Sequence, residues 1–141
     1  MRPKTGKPEA FRRSPCPIAG TLDLLGDKWS LLVIRDMLYG KGTYGELLNS
    51  PEGIPTNILA DRLRRLEEAG IILRSSYQEH PVRYTYTLSE KGKHLGNVLR
   101  ALVRWGETYI PGTQTLDELA PRSRRSRPAR RPARKKTART D

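Results

Sequence analysis

The sequence predicts a mainly α-helical chain carrying one small β-hairpin. Three observations predict it. Residues 53–70, GIPTNILADRLRRLEEAG, read as one amphipathic helix, with Leu59, Leu63 and Leu66 on one side and Asn57, Ala60, Asp61, Arg64 and Glu68 on the other at about 100° per residue. A short helix from Thr43 to about Asn49 precedes it, separated by the turn cluster Ser50-Pro51-Glu52-Gly53. Two β-prone runs, Ile71 to Tyr77 and Val82 to Leu88, follow directly. Short helix, glycine-containing turn, longer helix and hairpin, in that order, make a winged helix-turn-helix. Additional N- and C-terminal helices flank it.

Taken in order, residues 1–14 mix Pro, Gly, Lys and Arg without periodicity and suit a flexible basic arm. The winged domain is expected over residues 15–120. Pro17 fits the first turn of a helix whose apolar residues are Ile18, Leu22 and Leu25, and Gly26 stops it. Asp27 can cap the next helix, about Lys28 to Tyr39, which is apolar around most of its circumference and must be buried; Lys28, Ser30, Arg35 and Asp36 then need wet positions or each other. Thr43-Tyr44-Gly45-Glu46 has the capping-box form, in which the hydroxyl and the carboxylate each satisfy an orphan amide.

In the helix over 53–70, Pro55 suits the first turn, Thr56 and Asn57 are cap-type residues, and Gly70 is a left-handed terminator. The hairpin alternates Tyr84, Tyr86 and Leu88 against Arg83, Thr85 and Thr87, with Gln78-Glu79-His80-Pro81 at its polar tip. Ser89 caps one long helix reaching Pro111-Gly112, with Leu95, Val98, Leu99, Leu102, Val103 and Tyr109 at three- and four-residue spacing. That stripe exceeds what one small core covers and marks an interface. Residues Leu116 to Leu119 suit one last turn, and 121–141 an Arg/Lys/Pro-rich tail too poor in apolar residues to fold.

Composition excludes several classes. Residues 121–141 hold ten Arg or Lys against one Asp, net +9, and residues 1–14 hold five against one Glu, net +4, leaving −1 of the chain's +12 for the body. No apolar run is long enough for a bilayer span and the N-terminus lacks a secretory apolar segment, so the expected location is cytoplasmic, and nucleoid-associated when on DNA. One cysteine, Cys16, and two histidines, His80 and His94, cannot build an internal disulfide or a multi-cysteine zinc site. No metal or cofactor is expected. Without a phosphate-cradling glycine loop or an acid, base and nucleophile set, neither is catalysis.

Four segments resemble the HxlR-type winged-helix regulators of bacteria and archaea: CPIAGTLDLLGDKWSLLVIRDML, TYGELLNSPEGIPTNILADRLRRLEEAGII, PVRYTYTLSEKG and LRALVRWGE, together spanning about Cys16 to Gly112. The resemblance implies a homodimeric, sequence-specific DNA-binding transcriptional regulator, its dimer interface built from the N-terminal helices and the long C-terminal helix. Ile18, Leu22, Leu95, Leu99, Leu102 and Trp105 are the interface candidates on that basis. Members commonly place Ser where this chain has Pro55, which removes an amide that could meet a phosphate. Some members sense quinones, aldehydes or disulfide stress through a cysteine at the position of Cys16. A small-molecule electrophile is therefore a candidate effector, against the plainer role of a small apolar residue at the dimer seam. Proximity to a helix start and to Arg12 and Arg13 favours the thiolate.

For double-stranded DNA the first turns of the helix over 53–70 are best placed: Thr56, Asn57 and Ala60, with Arg64 one turn on. Asn pairs bidentately with adenine and Arg with guanine, each worth about 1 to 3 kcal/mol of discrimination. Arg64 could instead be held by Asp61, and Arg65 by the same carboxylate. At the wing, Arg83 could enter the minor groove, where His80 lies near the tip. Lys41, Thr43 and Tyr44 are candidates for phosphate contacts, although Tyr44 also suits the core. Two other functions remain: a nonspecific histone-like binder driven by the basic tail, and a protein-interaction module using the long helix.

Overall fold

The computed structural model describes residues 13–114. Helix α1 spans Pro17–Leu25, α2 Ser30–Leu38, α3 Tyr44–Leu48 and α4 Thr56–Glu68, followed by strands β1 (Ile72–Glu79) and β2 (Val82–Leu88) and helices α5 (Glu90–Lys93) and α6 (Leu95–Tyr109). This is the mainly helical winged helix-turn-helix that the sequence predicts. The chain divides into two compact units, Met1–Leu99 and Arg100–Asp141. The expected basic arm, last turn and basic tail fall outside the described residues, apart from Arg13 and Ser14 of the arm.

The core of the first unit gathers Leu25 from α1, Val33, Ile34 and Met37 from α2, Leu47 from α3, Leu59, Leu63 and Leu66 from α4, and Ile71, Ile72 and Leu99. The start of α2 is set by Asp27, whose carboxylate accepts from the backbone N–H of Trp29 at 3.0 Å and of Ser30 at 3.1 Å and from the Ser30 hydroxyl at 2.5 Å. The N-cap position itself falls at Trp29 and α2 begins at Ser30, two residues later than expected, but the Asp27 carboxylate still holds the first amides, and Ser30, buried at that point, is satisfied by it. Asp36 is buried as well, and Arg35 beside it supplies the partner at 2.9 Å.

The α3 capping box is complete: Thr43 Oγ1 accepts from the Glu46 N–H at 3.3 Å, and Glu46 Oε2 accepts from the Gly42 and Thr43 N–H groups at 2.8 and 3.0 Å. The entrance of α4 departs from expectation. Pro55, not Thr56 or Asn57, is the N-cap, with φ −64 and ψ 146 and no side-chain cap bond. The ring-fixed φ suits helix and extended chain alike, and it is the extended ψ that leaves Pro55 just outside the helix. Thr56 and Asn57 thereby become helical residues, too far along to cap the amides ahead of them. The exit behaves as read: Gly70 has φ +71, the Ile71 N–H reaches the Leu66 carbonyl and the Gly70 N–H the Glu67 carbonyl, both at 2.9 Å. Those two bonds and the buried Leu66 and Ile71 form a Schellman stop.

The hairpin is antiparallel, running from Ile72↔Leu88 to Glu79↔Val82, with a register shift between Ser76 and Gln78. β1 thus starts one residue later and ends two residues later than predicted, and only His80 and Pro81 connect the strands, because cross-strand pairing carries polar Gln78 and Glu79 into the ladder. The loop ahead of α3 joins the hairpin edge, where the Tyr86 N–H donates to the Gly42 carbonyl at 2.7 Å and Thr43 bridges Thr85.

The predicted single C-terminal helix is two. Ser89 caps α5 as expected, its Oγ accepting from the Gly92 N–H at 3.1 Å, but its hydroxyl also donates toward the Gly70 carbonyl at 2.6 Å, and Lys91 Nζ donates to the Ala69 carbonyl at 2.6 Å. Gly92 is buried against the Ile71 carbonyl, where a Cβ would lie only 2.2 Å from the oxygen. That turn is committed to the exit of α4, and the helix restarts at Leu95.

In the second unit, Trp105 and Tyr109 pack with ring centroids 5.3 Å apart, and Leu102, Trp105, Tyr109 and Ile110 are exposed. Leu95 and Leu99, expected at a dimer interface, pack instead within the core of the first unit. Five-turn spacing alone could not separate the inward positions from the outward ones. Ile18 and Leu22 are exposed on α1.

Candidate nucleic-acid interface

The exposed side of α4 holds Thr56, Asn57, Ala60 and Arg64. Asn57 has no side-chain partner among the described residues. At the helix entrance the Tyr44 hydroxyl donates to the Thr56 carbonyl at 2.8 Å while its ring packs against the core. Tyr44 therefore spends its polar group inside the molecule, positioning α4, and its phosphate-donor role is weakened accordingly.

Arg64 bonds Asp61 at 2.7 Å and Glu68 at 3.0 Å, so the alternative weighed for it is realised. All three side chains are exposed, and water screens such pairs so that they hold weakly. A guanine or a phosphate can compete for Arg64 at small cost. Arg65 lies 4.0 Å from Asp61, the pairing expected of it.

The wing flanks this helix. Arg83 is exposed and opposite Gln78 in the ladder, and His80 is exposed at the tip. A cleft of about 510 Å³ separates the start of α3 from the wing, lined by Thr43, Tyr44, Tyr77, Arg83, Tyr84 and Tyr86 among others. Between α4 and the wing lies a groove of about 620 Å³ that includes Ala60, Arg64, Glu67 and Arg74. Arg74 spans it, its guanidinium 4.3 Å from the Tyr84 ring centroid and 3.5 Å from Glu67. Lys41, at the loop beside the hairpin edge, lines a separate cleft with Thr43, Glu46 and Thr85. The groove between α4 and the wing thus carries the guanidiniums of Arg64 and Arg74, and the cleft beside it that of Arg83.

Three polar ties that hold α4 escape a reading of the sequence. Arg62 Nε donates to Asp27 Oδ2 at 2.8 Å, across 35 residues. Burial alone would raise the Asp27 carboxyl, but the hydrogen bonds from Ser30 and Arg62 outweigh it and hold it well below the ordinary range. Arg35 reaches Glu52 with both nitrogens, at 2.7 and 2.8 Å, and Ser50 at 3.1 Å, fixing the turn ahead of α4. Arg74 is the third. Only Asp27 carried a local signal, as a cap, and that signal said nothing of its distant partner.

Cys16 is exposed at the start of α1, and its N–H donates to Ser14 Oγ at 3.0 Å. Arg13, expected near the thiol, pairs with Asp23 at 2.6 Å, because the α1 carboxylate is the stronger attractor. Among the described residues no group of three or more His, Cys, Asp or Glu could hold a metal ion, and no helix is long and apolar enough to cross a membrane.

The HxlR-like helix-turn-helix pattern matches residues 24–114. An uncharacterised HTH-type transcriptional regulator of Synechocystis is 41% identical over 95 residues, 67% of this chain and 70% of that protein. One of Mycobacterium tuberculosis is 36% identical over 94 residues, 67% of this chain but only 59% of that protein's length. The reduced form of the transcriptional regulator YodB from Bacillus subtilis superposes with a TM-score of 0.58 at 30% identity, covering 72% of this chain and 100% of that one. Its diamide-treated form gives 0.55 at 33%, covering 67% and 94%.

Glu52 makes the mounting of α4 testable by pH. The hydrogen bonds from Arg35, assisted by Ser50, depress its pKa from 4.5 to about 2. A depressed carboxylate contributes stability that is complete above the unfolded pKa and disappears as pH falls through the folded one. Thermal melts of wild type and Glu52→Gln should differ at neutral pH and converge between pH 4.5 and about 2. A gap that persists in acid would show that Glu52 acts through packing.

Proposed function

The chain belongs to the HxlR-like helix-turn-helix family of DNA-binding transcriptional regulators, and we propose that it acts as a homodimer on a palindromic operator read by α4. The observation that carries this reading is the contrast along α4. Its inner side is fixed by Leu59, Leu63, Leu66, Arg62 and the Thr56 carbonyl, while Asn57, Thr56 and Ala60 keep their outer side uncommitted. A helix held rigidly with its first turns open is what base readout in a major groove requires.

Asn57 and Arg64 contact base edges. Arg83 and His80 at the wing reach the backbone or minor groove, and Lys41 and Thr43 lie nearest the phosphates beside α3, where Tyr44 positions α4. Exposed Ile18 and Leu22 on α1, and exposed Leu102 and Trp105 on α6, supply apolar surface for a second copy.

Cys16 serves as the redox-sensing residue, responding to an oxidant or electrophile. Two facts support this: its thiol is exposed at the start of α1, and the similar YodB has a reduced and a diamide-treated form. Diamide should weaken binding by the wild type to its operator in a gel-shift titration, and Cys16→Ser should bind equally with and without it. An equal loss in both proteins would remove Cys16 from the mechanism.

A second reading, a histone-like DNA coat, is favoured by the +9 charge of residues 121–141. One substitution separates the two. Asn57→Ala should lower the preference for a selected genomic duplex over a shuffled one by about 1 to 3 kcal/mol. If preference is absent in the wild type, or untouched in the variant, α4 does not read sequence.

A further inference from the structure

We infer that Arg62 and Asp27 form a clamp that sets the roll of α4, making Arg62 a positioning residue for sequence discrimination although it need not touch DNA. The inference rests on the reading of α4 as the helix that meets base edges.

The leucine face of α4 cannot set the roll by itself. Burial of Leu59, Leu63 and Leu66 is non-directional and does not by itself fix the rotation of the helix about its own axis. At the roughly 5 to 6 Å radius of the side-chain surface, a rotation of only about 15° displaces a reading atom by about 1.5 Å. Specific hydrogen bonds tolerate only about 0.5 Å and 10 to 20°. A directional contact beside the leucine stripe is therefore required, and Arg62 provides one.

At about 100° per residue Arg62 lies on one flank of the stripe and Glu67 on the other. The Arg62 and Asp27 side chains are 18% and 24% exposed, so water screens the pair less than it does the fully exposed pairs of Arg64. Asp27 cannot follow a moving partner. Its carboxylate is fixed by the Trp29 and Ser30 N–H groups and by the Ser30 hydroxyl, at the head of the buried helix α2. Arg62 Nη1 also bonds Asp61 on the exposed side of α4, so the same guanidinium ties the outer face of the helix to α2. On the opposite flank the Tyr44–Thr56 bond at 2.8 Å and the Glu67–Arg74 pair at 3.5 Å limit rotation the other way.

Two substitutions isolate the clamp. Arg62→Met keeps the aliphatic stem and removes the donors. Asp27→Asn keeps an oxygen that caps α2 as well as Asp does, and removes the charge. Arg65→Met deletes the same charge from the neighbouring exposed position, and serves as the control. The probes are a duplex selected from genomic DNA by the wild-type protein and a shuffled duplex of equal length and composition. Affinities are measured across a salt series, with a thermal melt of each variant.

Arg62→Met and Asp27→Asn should each lower the ratio of selected to shuffled affinity by about tenfold, and the double variant no further, since coupled residues are non-additive. Affinity for the shuffled duplex and its salt slope should stay at wild-type values, as should the ratio in Arg65→Met. A wild-type ratio in folded Arg62→Met or Asp27→Asn overturns the clamp. So does an equal loss on both duplexes with a flatter salt slope, which makes Arg62 a phosphate contact. If one variant does not fold, the other decides; if neither folds, the pair is a stability element and the inference fails. Asn57→Ala in the wild-type background keeps the two readings apart. A reduced ratio there with an unchanged one in Arg62→Met rejects the clamp alone, whereas an unchanged ratio in both rejects α4 as the reading helix.

Discussion

Arg35 is the side chain through which the buried helix α2 governs the placement of α4. It neutralises Asp36, which is only 3% exposed, and with its remaining donors grips Glu52 and Ser50 in the turn that introduces α4. A buried carboxylate needs a partner, since removing one member of such a pair costs about 3 to 5 kcal/mol. The core therefore commits Arg35 to α2, and Arg35 commits the turn to the core. Asp27 repeats the arrangement at the other end of the same helix, capping α2 and holding Arg62. Helix α2 is thus joined to α4 and to the turn ahead of it by directional polar contacts as well as by leucines.

Much of this is local chemistry, and local chemistry is legible in a sequence. The capping box at Thr43 and Glu46, the glycine stop at Gly70 and the alternation from Tyr84 to Leu88 each involve residues a few positions apart. The long-range pairs are another matter. Nothing near Arg62 indicates a partner 35 residues earlier, and Asp61, one residue away, is the more obvious candidate. The division of the last helix at His94 depends on Ser89, Lys91 and Gly92 docking on carbonyls at the exit of α4, a tertiary contact that overrides a continuous apolar stripe. The same docking leaves Leu95 and Leu99 facing the core. The α4 cap falls at Pro55, whose ψ of 146 leaves it outside the helix, although hydrogen-bonding side chains stand one residue later.

On the proposed function, affinity and discrimination come from different parts of the chain. Residues 15–120 carry a net charge of −1, and Asp61 and Glu68 sit among the arginines of the exposed face of α4. A face so balanced attracts any duplex weakly and must obtain its binding from matched contacts. The terminal segments, net +4 and +9, supply attraction that is blind to sequence. Acidic residues beside Arg64 thus favour discrimination: a mismatched base leaves that guanidinium with its intramolecular partners.

A nuclease footprint of the full-length protein on genomic fragments that it has itself selected tests the central claim most directly. The result expected is a bounded, two-fold symmetric site with half-sites about 10 bp apart or a multiple of that spacing. Even protection spreading from every fragment end, with no symmetric boundary at any concentration, would contradict reading by α4 and leave a protein that coats DNA through its charge.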